Sequence, residues 1–247
     1  MARWIEGKVV ENIKWTDTLY SLRVSADIAP FSAGQFGRLA MEIDGKPLGR
    51  PYSFVNSPDD DVLEFYSIVV PEGPLSPKLH SLQPGDPVLV GPKGGGFFTL
   101  DMVPEADQLW MLSTGTALGP FLSILGTEEP WKRYKKIVLV HAVRLGEELT
   151  YQERIKHHAA EKPDVFQYIP FVSREDYDGA IPGRVPAAIE SGTLEERAGL
   201  KLHPENSQVM ICGNPDMVRD TQEALAGRGF TPNTRKEKGH ITTENYW

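Results

Sequence analysis

Two rhythms of apolar and polar positions divide this chain. Up to about residue 100, short alternating segments are broken by Gly, Pro, Asp and Asn. Tyr20, Leu22 and Val24 fall on one strand face, as do Leu39, Met41 and Ile43, because side chains alternate across a strand. Over residues 62–70, Leu63, Phe65, Ser67 and Val69 alternate with Val62, Glu64, Tyr66, Ile68 and Val70. That pattern predicts a strand covered in part on both faces. Turn residues recur at 32–34, 44–45, 58–61 and 84–86. A short helix is expected over residues 74–82, with Leu75, Leu79 and Leu82 at helical spacing. The first half therefore predicts an antiparallel barrel or sandwich.

From about residue 105 the rhythm becomes strand, turn, helix. The apolar run 109–112 leads into Ser113-Thr114-Gly115-Thr116 and then a stripe of Leu118, Phe121, Leu122 and Leu125. Residues 137–143 repeat the pattern and end at Arg144, and residues 165–172 end at Ser173-Arg174. Residues 209–211 end at Cys212-Gly213-Asn214, followed by a helical pattern over 216–225. Such alternation implies a parallel, doubly wound sheet with helices on both faces. The chain thus reads as two domains, 1–100 and 101–247, with the linker near residues 97–106. In doubly wound sheets, ligands bind beyond the carboxyl ends of the strands. Here those ends carry Ser113-Thr114-Gly115, Arg144, Ser173-Arg174 and Cys212-Gly213.

Composition narrows the field. With 247 residues, 40% hydrophobic and 24% charged, the chain has the make-up of an ordinary globular protein. A net charge of −8 argues against nucleic-acid binding, which needs basic surface. No apolar stretch has the length of a membrane span, and the first residues lack the apolar core of a secretory signal. A single cysteine excludes an internal disulfide and suits a reducing cytoplasm. The six histidines show no metal-ligand spacing, and no metal is expected.

Several segments carry candidate chemistry, each with a plainer alternative. Residues 113–120, STGTALGP, are small enough to bring backbone N–H groups and a helix start to a phosphate, or simply make a tight turn. Arg144, Arg174 and Arg184 follow successive elements; guanidinium forks suit the 2′-phosphate that separates NADP from NAD, but surface charge explains them too. In Arg50-Pro51-Tyr52-Ser53, the arginine suits a pyrophosphate, the tyrosine a flat flavin ring and the serine a ring nitrogen. Cys212 is either a small buried apolar group or a site thiol. Tyr246 and Trp247 at the end either dock on the body or cover a flat cofactor.

Taken in order, RPYS, FYSIVVPEGPLSPKL, GPKGGGFFTL, STGTALGP, HAVR, VSRE, ICGNPDMV and ENYW resemble the ferredoxin–NADP reductase family, in its bacterial flavodoxin/ferredoxin branch. The resemblance runs from the first half to the final tryptophan. Two departures from the plant type, Ser113 at the first glycine of the Gly-Thr-Gly turn and a tryptophan after the terminal tyrosine, fit that branch.

The resemblance implies an FAD-binding antiparallel barrel followed by a five-stranded NADP-binding domain. By motif it assigns FAD to Arg50, Pro51, Tyr52, Ser53, Tyr66, Ser67, Ile68, Pro74, Leu75, Ser76, Thr116, Tyr246 and Trp247. It assigns NADP to Val143, Arg144, Ser173, Arg174, Arg184, Cys212, Gly213 and Asn214. The implied activity is hydride transfer between NADPH and flavin coupled to one-electron exchange with flavodoxin or ferredoxin. In it, Ser53 and Cys212 steady the reacting rings, Glu244 exchanges a proton and Tyr246 moves aside. A monomer is expected, meeting a small acidic carrier through Arg235, Lys236 and Lys238, or less readily through Lys132, Arg133, Lys135 and Lys136. Two other readings stay open: a reductase serving an oxygenase or reducing free flavin, and a flavin-binding electron-transfer subunit without nucleotide chemistry. The arginines and Cys212-Gly213 speak against the second.

Overall fold

The structure is a computed structural model and describes residues 4–246; Trp247, assigned above to FAD, lies outside them. Its contacts form two compact units. One runs up to Thr99 and takes in Gly119–Thr127; the other joins Leu100–Leu118 to the residues from Glu128 onward. No helix among the described residues is long and apolar enough to cross a membrane.

In the first unit, the described strands are β1 (Ile5–Lys14), β2 (Leu19–Ser25), β3 (Phe36–Ile43), β4 (Lys46–Ser53), β5 (Leu63–Ile68) and β6 (Pro87–Val90). They form an antiparallel sheet in the order β4-β3-β6-β1-β2-β5. The edge strands meet where Phe54 bridges Phe65 and the Val55 N–H donates to the Glu64 carbonyl at 2.9 Å. This contact closes the sheet at one point, while the rest of β4 and β5 stays unpaired with one another among the described residues. A register shift between Val9 and Glu11 supplies a bulge that lets β1 bend. The β3–β4 hairpin turns on Asp44 and Gly45, both left-handed at φ 52° and 73°, the backbone of a type I′ turn. Tyr20, Leu22, Val24 and Leu39 enter the core with Phe54 and Phe65, and Met41 and Ile43 pack against it, as the alternation predicts.

Helix α1 (Ser76–Ser81) starts later than the expected residue 74, with Leu75 at the cap and Pro77 in the first turn. Its far end is sewn to β1. Asn12 Nδ2 donates to the carbonyls of Leu79, His80 and Leu82 at 3.3, 3.1 and 2.9 Å, and Lys14 Nζ also bonds His80 O. Side chains of β1 thus satisfy carbonyls that a helix end leaves without partners, which fixes α1 on the barrel. Helix α2 (Leu118–Leu125) lies in this unit from Gly119 on: Phe121 meets Phe98 edge-on at 5.4 Å, and Ser123 Oγ donates to Asn56 O at 2.7 Å.

The second unit holds strands β7 (Gln108–Thr114), β8 (Lys136–Val143), β9 (Phe166–Val172), β10 (Ile181–Pro182), β11 (Ser207–Gly213) and β12 (Ile241–Asn245). Its helices are α3 (Glu129–Arg133), α4 (Gln152–Glu161), α5 (Val185–Glu190), α6 (Thr193–Ala198) and α7 (Pro215–Ala226). The sheet is parallel throughout, in the order β10-β9-β8-β7-β11-β12. Residues 109–112, 137–140 and 209–212 are all buried, as strands covered on both faces must be. One core joins Trp110, Val140 and Ile211 to Val185, Leu194 and Val218 of the helices.

One sequence expectation changes here, and one strand is new: Ile241–Asn245 pairs with β11 as a further parallel strand just before the aromatic end. The sheet also exceeds the implied five strands, since β10 adds a two-residue edge beside β9.

Candidate functional site

In the second unit the chain leaves β7 towards β8 and β9, then returns to the other side of β7 as β11. That reversal is a topological switch point, where open parallel sheets hold ligands. Cys212 lies in register with Ser113 of β7 on one side and Glu244 of β12 on the other. Thr114 Oγ1 accepts the Asn214 N–H at 2.9 Å, and Gly213 O accepts the Tyr246 N–H at 3.0 Å. Gly213 has φ 145°, and a Cβ there would run into Thr114 Oγ1, so only glycine lets β11 close on β7 at this point. Asn214 caps α7 by accepting the N–H groups of Asp216 and Met217 at 2.9 and 3.3 Å.

Burial sets the charge state of this corner. Cys212 is fully buried and its thiol is pushed well up, first by burial and then by Glu244, so it stays protonated. Burial also raises the Glu244 carboxyl to about 7, and its Oε2 has no hydrogen-bond partner among the described residues. A mostly buried carboxyl at that value can hold or release a proton near neutral pH. The sequence reading missed His141, buried in β8 with Nε2 at 3.1 Å from Gly115 O. A carbonyl only accepts, so Nε2 carries the proton; burial pushes the ring down to about 4 and keeps it neutral. His141 therefore supports the 3₁₀ turn Gly115–Ala117 that holds Thr116, with Ser113 Oγ bonded to Val140 O at 2.7 Å beside it.

Arg144, Ser173, Arg174 and Arg184 are exposed at the carboxyl ends of β8 and β9 and just before α5. None of the three arginines has a carboxylate partner among the described residues. Clefts of about 410 and 300 Å³ open nearby, one lined by Arg184 with Glu190, Asp220 and Glu223, the other by Val172, Tyr177 and the carboxylates of Glu175, Asp176 and Asp178. Guanidiniums without a carboxylate partner suit a phosphate-bearing nucleotide, since an existing ion pair would first have to be broken.

The first unit holds the other candidate set. Arg50, Tyr52 and Ser53 run along β4 to the closing bridge, and Tyr66, Ser67 and Ile68 run away from it along β5. Both segments start at one point of the barrel wall, and no further register joins β4 to β5 among the described residues. Arg50 is exposed, and among the described residues its side chain bonds only the neighbouring Gly49 O, at 3.1 Å. Burial raises the Tyr52 phenol to about 12, so the ring stays neutral. Ser53 is buried, yet its hydroxyl has no partner among the described residues. An unengaged hydroxyl on a mostly buried serine, beside a neutral aromatic ring and an arginine without a carboxylate partner among the described residues, fits a flat, phosphate-bearing cofactor such as FAD. Ser76 departs from this, because its hydroxyl accepts the Val70 N–H at 2.9 Å; its backbone N–H in the first helical turn is what remains for a phosphate. No group of three or more His, Cys, Asp and Glu among the described residues is placed to hold a metal ion.

Known proteins share this fold and much of this sequence. The family model of the oxidoreductase NAD-binding domain matches residues 111–223, which span the switch point and the arginines. The flavodoxin/ferredoxin–NADP reductase of Escherichia coli strain K12 is 49% identical over 248 residues, covering 100% of both chains. The ferredoxin–NADP reductase of Azotobacter vinelandii is 38% identical over 226 residues, 87% of this chain and 86% of its own. The crystal structure of a ferredoxin NADP⁺ reductase from Neisseria gonorrhoeae with bound FAD and NADP superposes with a TM-score of 0.94 at 32% identity, covering 100% of both chains. An antiparallel barrel, a parallel sheet with exposed arginines beyond the ends of β8 and β9, and full-length identity of this order lead to one assignment: the chain belongs to the flavodoxin/ferredoxin–NADP reductase family of FAD- and NADP-dependent oxidoreductases.

Proposed function

We propose that this chain holds FAD in its first unit, receives hydride from NADPH bound to its second, and passes single electrons to flavodoxin or ferredoxin. When bound, FAD supplies the exchange between a hydride pair and single electrons. Arg50 meets its pyrophosphate, Tyr52 packs on the ring system, and Ser53 offers its unengaged hydroxyl to a ring nitrogen. Tyr66, Ser67, Ile68, Pro74, Leu75 and Ser76 complete this half of the assignment.

In the second unit, Arg144, Arg174 and Arg184 bind the 2′-phosphate with Ser173, while Val143, Cys212, Gly213 and Asn214 border the nicotinamide end. Cys212, neutral and buried, gives the ring a contact without a competing charge. Glu244 holds the exchangeable proton. The observation that carries the reading is the set of three arginines without carboxylate partners among the described residues, placed beyond the sheet whose switch point holds Cys212-Gly213. The purified protein should be yellow, and anaerobic NADPH should bleach its flavin bands far faster than NADH. Equal rates would remove the arginines from coenzyme choice. A protein that takes up no FAD would end the reading.

The electron carrier is proposed to be small and acidic. Lys132, Arg133 and Lys135 are spoken for by Glu128, by Glu105 and Glu129, and by Asp107. Lys236 and Lys238 are exposed, and Lys238 Nζ bonds Met102 O at 3.3 Å with no carboxylate partner among the described residues. Replacing both by glutamate should raise the KM for an acidic flavodoxin at low salt by up to about fivefold per charge. The effect should fade as added salt shortens the Debye length. A KM that ignores both the substitutions and the salt would rule out these lysines. The proposal also takes the chain to act as a monomer in a reducing cytoplasm.

A further inference from the structure

Acidic residues crowd the arginines assigned to the 2′-phosphate. Glu147 and Glu148 follow Arg144, and Glu175, Asp176 and Asp178 follow Arg174. Carboxylates this near would ordinarily pair with the guanidiniums and cancel the charge a phosphate needs. Among the described residues neither arginine is so paired, and loop hydrogen bonds engage two of these carboxylates elsewhere. Glu148 Oε2 accepts the backbone N–H of Arg144 at 2.8 Å and of Leu145 at 3.2 Å. Glu175 Oε1 reaches across from the other loop to accept the Gly146 N–H at 2.5 Å.

The main chains are joined as well. Arg174 N–H donates to Arg144 O at 2.9 Å, and Ser173 donates to Val143 O through both its N–H and its hydroxyl, each at 3.2 Å. Gly146 sits under the Tyr177 ring, where a Cβ would collide with it and crowd Glu175.

We propose that Glu148 and Glu175 are positioning residues for the 2′-phosphate. Their carboxylates clamp the loop after β8 to the loop after β9, which sets Arg144 and Arg174 side by side and keeps two nearby carboxylates off them. This rests on the assignment of those arginines to the 2′-phosphate and extends it to residues that do not touch the ligand. The required feature is an acceptor oxygen at each position, so glutamine can serve where alanine cannot.

The test is calorimetric titration of the FAD-loaded protein with adenosine 2′,5′-bisphosphate and, separately, adenosine 5′-monophosphate. Glu175→Ala and Glu148→Ala should each weaken the bisphosphate about tenfold, the scale expected when a binding group is displaced rather than removed. The monophosphate should change by less than about twofold, because it lacks the group the clamp serves. Glu175→Gln should keep most of the bisphosphate affinity, and Gly146→Ala, which crowds the clamp without replacing a carboxylate, should reproduce the loss. Arg174→Ala separates the two layers of the inference. If it weakens the bisphosphate and the glutamate-to-alanine variants do not, the clamp is wrong and the arginine assignment stands. If Arg174→Ala leaves bisphosphate binding intact, the 2′-phosphate assignment fails and takes the clamp with it. Equal weakening of both nucleotides, or a Glu175→Gln variant as poor as Glu175→Ala, also overturns the clamp.

Discussion

Replacing Arg144 and Arg174 together by alanine should lower kcat/KM for NADPH about a hundredfold and change that for NADH by less than about threefold. Hydrogen bonds to charged groups contribute roughly 1.5–3 kcal/mol each. Both arginines are exposed, so solvent and salt pull each contribution to the low end of that range. Two such losses come to about 3 kcal/mol, or about a hundredfold. NADH lacks the phosphate the guanidiniums would hold, so its kinetics should move little. Steady-state rates with an artificial acceptor such as ferricyanide check both numbers without involving the carrier protein. Equal losses for the two coenzymes would point to a damaged loop. An unchanged NADPH value would leave Arg144 and Arg174 as surface charges.

What could be read in advance depended on how locally each feature is encoded. The buried parallel strands announce themselves because residues 109–112, 137–140 and 209–211 are unbroken apolar runs. The β3–β4 hairpin is legible because Asp-Gly is among the few pairs that accept two left-handed residues in succession. Helix α4 was hidden for the opposite reason: Ile155 is its buried residue, and QERIKHHAAE offers no apolar stripe to count. Strand β12 was hidden because Ile241–Asn245 is short and becomes a strand through pairing with Val209–Gly213, about thirty residues away in sequence.

The site divides along the same line. Cys212-Gly213 and Ser113-Thr114 could be found from their place at strand ends. His141 on Gly115 O, and Glu148 and Glu175 on backbone amides, could not, because those partners exist only once separate strands lie side by side. The motifs HAVR and VSRE did contain His141 and Glu175, but residue type gave no hint that they serve the backbone rather than a ligand.

Glu244→Gln should cut kcat about a hundredfold, within the range general acid–base groups contribute, and flatten the pH profile near 7. The carboxyl sits opposite Cys212, raised to about 7 by burial, so it exchanges its proton near neutral pH, whereas glutamine cannot. The same shift makes a stability prediction of opposite sign to the usual carboxylate. Its ordinary value is 4.5, so between that pH and about 7 the folded chain binds more proton than the unfolded chain. Stability must therefore fall as pH rises through this window, by up to about 3 kcal/mol at 1.36 kcal/mol per pH unit. Denaturant titrations at pH 5 and pH 8 should show this loss in the native protein and not in Glu244→Gln. Cys212→Ala serves as the control. It should slow flavin reduction by NADPH in stopped flow yet keep the pH slope of stability, because the slope belongs to the carboxyl. If Glu244→Gln keeps both the native kcat and the native pH slope, Glu244 is neither a proton carrier nor a raised carboxyl. If only the slope disappears, burial has shifted its proton affinity without giving it a part in turnover.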